Sequence, residues 1–248
     1  MTPIGHFMCE AAVAGNVDLT DERETTLCFA YYLLFLIVFS VLSLFLAPGS
    51  WGMHLHDWFG NAALIFFLFF WGRKDERRKF FVCILIGGQV LSAYTHMFDV
   101  IALKLTGSVP EGMWRPHNIL HTPLAALIVP LIATPPVKWL LKAASYSRVF
   151  FFLCLGYLLH IFADTITYTY PIYVLWPLTP AKFALVDFFR SPDAVGAFLG
   201  NPLYTFQPPS AANTDGFIVY KAELAVNAML AALYAIKCAV RRAMRFQH

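Results

Sequence analysis

Three helix-spaced pairs of ligand-type residues stand out in the chain: His96-x-x-Asp99, His117-x-x-x-His121 and His160-x-x-x-Asp164. Residues three or four apart on a helix share one face, so each pair can present two side chains to one ion. Neutral imidazole and carboxylate suit zinc first, with manganese or iron as the other divalent candidates. His96, His117, His121, His160 and Asp164 are therefore the expected metal ligands, enough for one ion with spare carboxylates around it or for two ions sharing a carboxylate. A metal-bound water has its pKa lowered from about 15.7 toward about 7 and becomes a nucleophile at neutral pH. Asp99 and Asp164 are the expected catalytic carboxylates, with Asp99 as the acceptor of that water's proton. His54, His56 and Asp57 form a further cluster that a loop at the headgroup level tolerates without any function.

The elements that must position these residues are membrane helices. Hydrophobic residues make up 59% of the chain and charged residues 13%, and the mean hydropathy is +0.62, a balance that a water-soluble domain could not hide. The 24 Phe residues suit helices whose outer faces meet lipid. A net charge of +3, spread over short loops, leaves no footprint for nucleic acid. The cysteines Cys9, Cys28, Cys83, Cys154 and Cys238 are scattered and read as small apolar residues, not as a disulfide framework. Met1 to Glu24 carries no cleavable-signal pattern, so the first spanning helix is expected to serve as the insertion signal.

Apolar stretches of about 20 residues predict an all-α bundle of about six transmembrane helices. They fall at Thr26 to Ala47, Trp58 to Trp71, Phe80 to Leu103, Ile119 to Thr134, Val149 to Tyr168 and Ala222 to Val240. The last carries Glu223 and Lys237 near its ends, where long side chains can snorkel. Lys and Arg concentrate in the loop from Arg73 to Lys79, between Lys138 and Arg148, and from Arg241 to Arg245. Those connections are expected to be cytoplasmic, and both termini with them. The whole chain, residues 1–248, reads as a single transmembrane domain with an N-terminal segment over 1–25 and an extracytoplasmic loop or lid over 169–216, including a short helix near Ala181 to Arg190. The ligand-type pairs then gather at the outer face.

The segments His117-Asn118-Ile119-Leu120-His121-Thr122-Pro123 and Leu155-Gly156-Tyr157-Leu158-Leu159-His160-Ile161-Phe162-Ala163-Asp164-Thr165, followed by Trp176-Pro177-Leu178, resemble a known family. The chain looks like the YdjM-like, LexA-regulated, inner-membrane metal-dependent hydrolases over about 60 residues, matching at Gly5-His6, His117, His121, Gly156, His160, Asp164, Pro177 and Leu178. It departs where His96-Met97-Phe98-Asp99 stands for the family's acidic Asp-x-Asp-His segment, where Thr122 replaces a Ser, and where Asn118-Ile119 replaces an Arg-Gly. The resemblance implies a bacterial inner membrane and adds His6 and Thr122 as supporting residues around the metal. The loop charges, given more weight here, put His6 on the cytoplasmic side.

These readings lead to a membrane-embedded hydrolase acting on a lipid or lipid-linked phosphate ester, with membrane lipids as partners. Two alternatives stay open. One is a non-catalytic membrane subunit of a larger complex with a structural or decayed metal site. The other is a haem-binding redox protein, which needs two facing His at matched depth and could take His96 with His160.

Overall fold

A computed structural model of the chain describes residues 3–45, 62, 64–92, 95–110, 112–167, 173, 175–178 and 216–245. The cluster His54, His56 and Asp57, the terminal His248 and the expected helix near Ala181 to Arg190 lie outside the described residues, as does most of the expected lid. Among the described residues the chain is all-helical, with no strand. Among the described residues, one helix, at Tyr146–Thr165, is long and apolar enough to cross a membrane by length and composition, and Ala125–Leu141 is a shorter apolar helix.

The expected N-terminal segment before the first span holds a buried helix, α1 (Pro3–Asn16). Every residue from Gly5 to Ala12 is buried, with Phe7, Met8 and Ala12 each at most 1% exposed. Its faces are apolar apart from His6 and Glu10, and at 14 residues it is too short to span a bilayer alone. Helix α2 (Glu22–Phe45) begins at a reciprocal cap, with the Glu24 amide donating to Asp21 Oδ1 at 2.8 Å and the Asp21 amide to Glu24 Oε2 at 3.0 Å.

A π-helical turn, Phe67–Trp71, precedes α3 (Glu76–Leu85), whose first turn is capped by Asp75 accepting from the Arg78 amide at 3.0 Å. A wider π segment, Ile86–Ser92, continues α3 toward α4 (His96–Thr106). Then come the short α5 (Pro116–Leu120), α6 (Ala125–Leu141), α7 (Tyr146–Thr167) and α8 (Gly216–Arg245). The stretch expected as one span over Ile119 to Thr134 is divided here: the backbone leaves the helix at His121, and Thr122 starts the next one by accepting from the Ala125 amide at 3.1 Å.

The core is built where α7 meets α3 and the π segment. A Cβ on Gly156 would fall on the Ile84 carbonyl oxygen, and one on Gly87 on the Leu153 carbonyl oxygen. Small residues thus let these backbones approach closely, the usual way apolar helices associate without a hydrophobic drive between them. The contact fixes the level of α7 against its neighbours, and with it the level of His160 and Asp164.

Helix α8 runs parallel to α1, because Asn227 Nδ2 reaches the Gly5 carbonyl at 3.5 Å and Lys237 Nζ reaches the Gly15 carbonyl at 2.7 Å. Lys237 does not snorkel as expected; it also donates to the Asn16 carbonyl and to Asp18, both at 2.6 Å, placing a cation on the last carbonyls of α1. The basic loops gather at this same end: Arg78 pairs with Glu24 at 2.6 Å, Lys79 with Glu76 at 2.6 Å, Arg241 with Asp18 at 2.5 Å, and Arg242 with Glu22. The parallel course puts the start of α1 away from this charged end and the finish of α8 at it.

Candidate metal centre

Asp164 is the hub of the site. Its position one turn beyond His160 on α7 puts both side chains on one helix face, and His160 Nε2 lies 3.4 Å from Asp164 Oδ2. His121, at the helix-leaving residue after α5, brings its Nε2 to 2.9 Å from the same oxygen. From the other side, the start of α1 delivers His6, whose Nε2 lies 3.0 Å from Asp164 Oδ1. His6 and His160 stack with ring centroids 3.8 Å apart, and His121 stands edge-on to His160 at 5.4 Å. All four side chains are buried, none more than 6% exposed.

Each element is held in place by its own contacts. Tyr157, one turn before His160, donates from its hydroxyl to the Leu120 carbonyl at 2.5 Å, which ties α7 to the residue next to His121. Asn227 Nδ2 holds the Gly5 carbonyl and reaches the Tyr32 hydroxyl at 3.2 Å, so α8 and α2 locate the residue beside His6.

His6, His160 and Asp164 each offer one ligand atom within 4.8 Å of the others, close enough to hold a metal ion. A neutral imidazole has one protonated and one lone-pair nitrogen. Without an ion, Nε2–H of His6 and of His121 can donate to Asp164; with the proton on Nδ1 instead, the Nε2 lone pairs of His6, His121 and His160 would be free for an ion beside the carboxylate, a nitrogen-rich set with one oxygen that suits zinc, and also manganese or iron. The Nδ1 atoms of His6 and His160 are buried and have no hydrogen-bond partner among the described residues. Metal-bound imidazoles ordinarily pass that second N–H to a carboxylate, carbonyl or water.

The remaining expected residues form a second rank. His117 stacks on His121 at 4.9 Å but turns its Nδ1 to the Thr95 hydroxyl at 2.9 Å and not to Asp164. Asp99 accepts from the His117 amide at 3.0 Å with Oδ1 and from Arg115 Nε at 2.5 Å with Oδ2, so both of its oxygens are used to hold the start of α5. The Thr122 hydroxyl bonds the Ile119 carbonyl at 2.9 Å and caps α6. His96 occupies the first residue of α4, and its side chain is outside the described set.

Glu10 is the residue that sequence reasoning passed over. It sits one turn after His6 on α1 and is fully buried; Gln89 Nε2 donates to its Oε2 at 3.3 Å, while Oε1 has no partner among the described residues. The signal was present in His6-x-x-x-Glu10, a fourth helix-spaced pair, but it fell in a segment taken to lie outside the bundle.

No family model, curated protein or solved structure matches the chain.

Proposed function

We propose that the chain is a membrane-embedded, metal-dependent hydrolase acting on a lipid or lipid-linked phosphate ester. The observation that carries this reading is the convergence of three imidazole Nε2 atoms, from His6, His121 and His160, on one buried carboxylate, Asp164. Buried polar groups are costly in an apolar bundle, and four of them meeting from three separate segments is the arrangement a metal site requires. A divalent metal held there supplies Lewis acidity and an activated water at neutral pH. Around it, His6, His121, His160 and Asp164 hold the ion, His117 packs on His121, and the Arg115–Asp99 pair keeps the α5 turn in place. The resemblance to the YdjM-like family, on His117, His121, Gly156, His160 and Asp164, points the same way.

The bilayer reading rests on composition and on the apolar helix α7. From Tyr146 at the charged end to Asp164 is 18 residues, roughly 27 Å of helix, close to a hydrocarbon thickness of about 30 Å. With the charged end in the cytoplasm, the ligands come to the level of the opposite headgroups, which is why a lipid phosphate ester is the proposed substrate. A bacterial inner membrane is the proposed location. Against a haem protein, His160 Nε2 already faces Asp164 with His6 stacked on its ring, which leaves no space for a porphyrin beside that nitrogen.

The test is elemental analysis and an absorbance spectrum of the purified full-length chain, followed by phosphate release from long-chain lipid phosphates. Zinc, manganese or iron near one or two equivalents, no Soret band, and release lost in His121→Ala and Asp164→Ala are expected. A Soret band, or release that survives both substitutions, overturns the proposal. A folded chain that binds metal and hydrolyses no lipid phosphate supports the non-catalytic subunit instead.

A further inference from the structure

At the charged end, opposite the metal ligands, a cleft of about 780 Å³ opens between the turn after α1, the first turn of α3 and the first turn of α7. Its floor and wall are aromatic, with Phe80 buried and Phe151 59% exposed, and its rim carries Asp18, Glu76, Arg77 and Arg148. The charges on that rim do not cancel within the cleft. Asp18 is already neutralised by Lys237 and Arg241, and Glu76 by Lys79. Arg77 and Arg148 have no carboxylate partner among the described residues, and the Arg148 guanidinium lies 5.9 Å over the Phe80 ring. What remains is a pair of uncompensated guanidinium groups above an apolar, phenylalanine-lined surface.

We propose that this cleft binds an anionic phospholipid of the cytoplasmic leaflet, its phosphate on Arg77 and Arg148 and its acyl chain along Phe80 and Phe151. A guanidinium presents a planar fork of donors that matches phosphate oxygens. The aromatic wall takes the apolar part of the same molecule, which a free anion lacks. Basic pockets between membrane helices on the cytoplasmic side bind such headgroups, and the volume falls in the range of small-molecule sites. The inference rests on the bilayer orientation proposed above and is independent of the metal.

The experiment measures binding of the full chain, purified in neutral detergent, to phosphatidylglycerol, to phosphatidylcholine and to inorganic phosphate, by native mass spectrometry and by the shift in unfolding temperature. Wild type should retain phosphatidylglycerol and be stabilised by it, with little effect from the other two. Arg77→Gln with Arg148→Gln should bind phosphatidylglycerol about 30-fold more weakly, about 1 kcal/mol for each basic residue at about 1.4 kcal/mol per tenfold. Arg73→Gln with Lys74→Gln removes the same charge outside the cleft and should bind as wild type. Equal retention of phosphatidylcholine, an equal effect of inorganic phosphate, or a control pair that loses binding as much as the cleft pair overturns the proposal. Metal content is read on the same samples, so a failed lipid preference with metal retained refutes the cleft alone.

Discussion

Replacing Asp164 tests whether the buried hub is a metal ligand or only a knot of hydrogen bonds. In the metal-free chain its two short contacts, 3.0 Å to His6 and 2.9 Å to His121, each involve an ionised acceptor. Such bonds contribute about 1.5–3 kcal/mol apiece. Asp164→Ala removes both and should cost about 3–5 kcal/mol, the size of breaking a buried pair. Asp164→Asn keeps one carbonyl acceptor and should cost about half as much. Metal binding responds differently, because an amide is a poor ligand whatever its shape. With about 10–16 kcal/mol of metal binding shared among four ligands, each is responsible for roughly 3 kcal/mol, so both variants should bind about 100-fold more weakly. The assay is a chelator competition for metal affinity beside chemical denaturation of the metal-free chain in detergent. If Asp164→Asn binds metal within a few-fold of wild type, Asp164 is not a ligand and the reasoning fails.

Other expectations follow from the packing and the charges. Gly156→Ala should destabilise by about 3 kcal/mol or more, because its methyl group meets the Ile84 backbone and neither helix can yield without moving the other; an unfolding midpoint equal to wild type would contradict the close contact. Glu10→Gln should leave the metal-free chain as stable as wild type or more so, since it exchanges a buried carboxyl with one unpartnered oxygen for a neutral amide of the same shape, and a lowered midpoint in denaturation would show that the carboxyl is needed for folding. At the charged end, the Arg241 and Lys237 contacts hold the Asp18 carboxyl below the usual carboxylate range. A lowered folded-state pKa means that this stabilisation is complete above the unfolded value of about 3.9 and is lost as pH falls through the lower folded value. Asp18→Asn should therefore flatten the acid limb of unfolding temperature against pH below about pH 4, and only slightly, as the half-exposed pair is screened. An unchanged acid limb would remove Asp18 from the account.

The His160–Asp164 pair was legible because helix periodicity is local: four residues make one turn, and the turn sets the face. The same rule placed His117 and His121 on one face, and their rings do stack, yet only His121 reaches Asp164. The helix ends between them, at a His121 backbone of φ −96° and ψ 46°, and the two stacked rings find different partners, Thr95 for His117 and Asp164 for His121. Loop charges correctly gathered Arg78, Lys79, Lys142 and Arg241 at one end, since charge avoids apolar surroundings in any fold.

Sequence alone determined the all-helical class, the apolar composition and the pairing of His160 with Asp164 on one helix face, because each depends on residue type and on spacing within a turn. The resemblance pointed to His6 while the loop charges put it on the opposite side, and only the tertiary structure decided that it meets Asp164. It lies 158 residues from Asp164 in the chain, on a helix too short to register as a span, and nothing local to either residue encodes that meeting. The meeting follows from the parallel packing of α1 on α8 and from the close approach of glycine-bearing helices at Gly87 and Gly156, which are properties of surfaces brought together by folding.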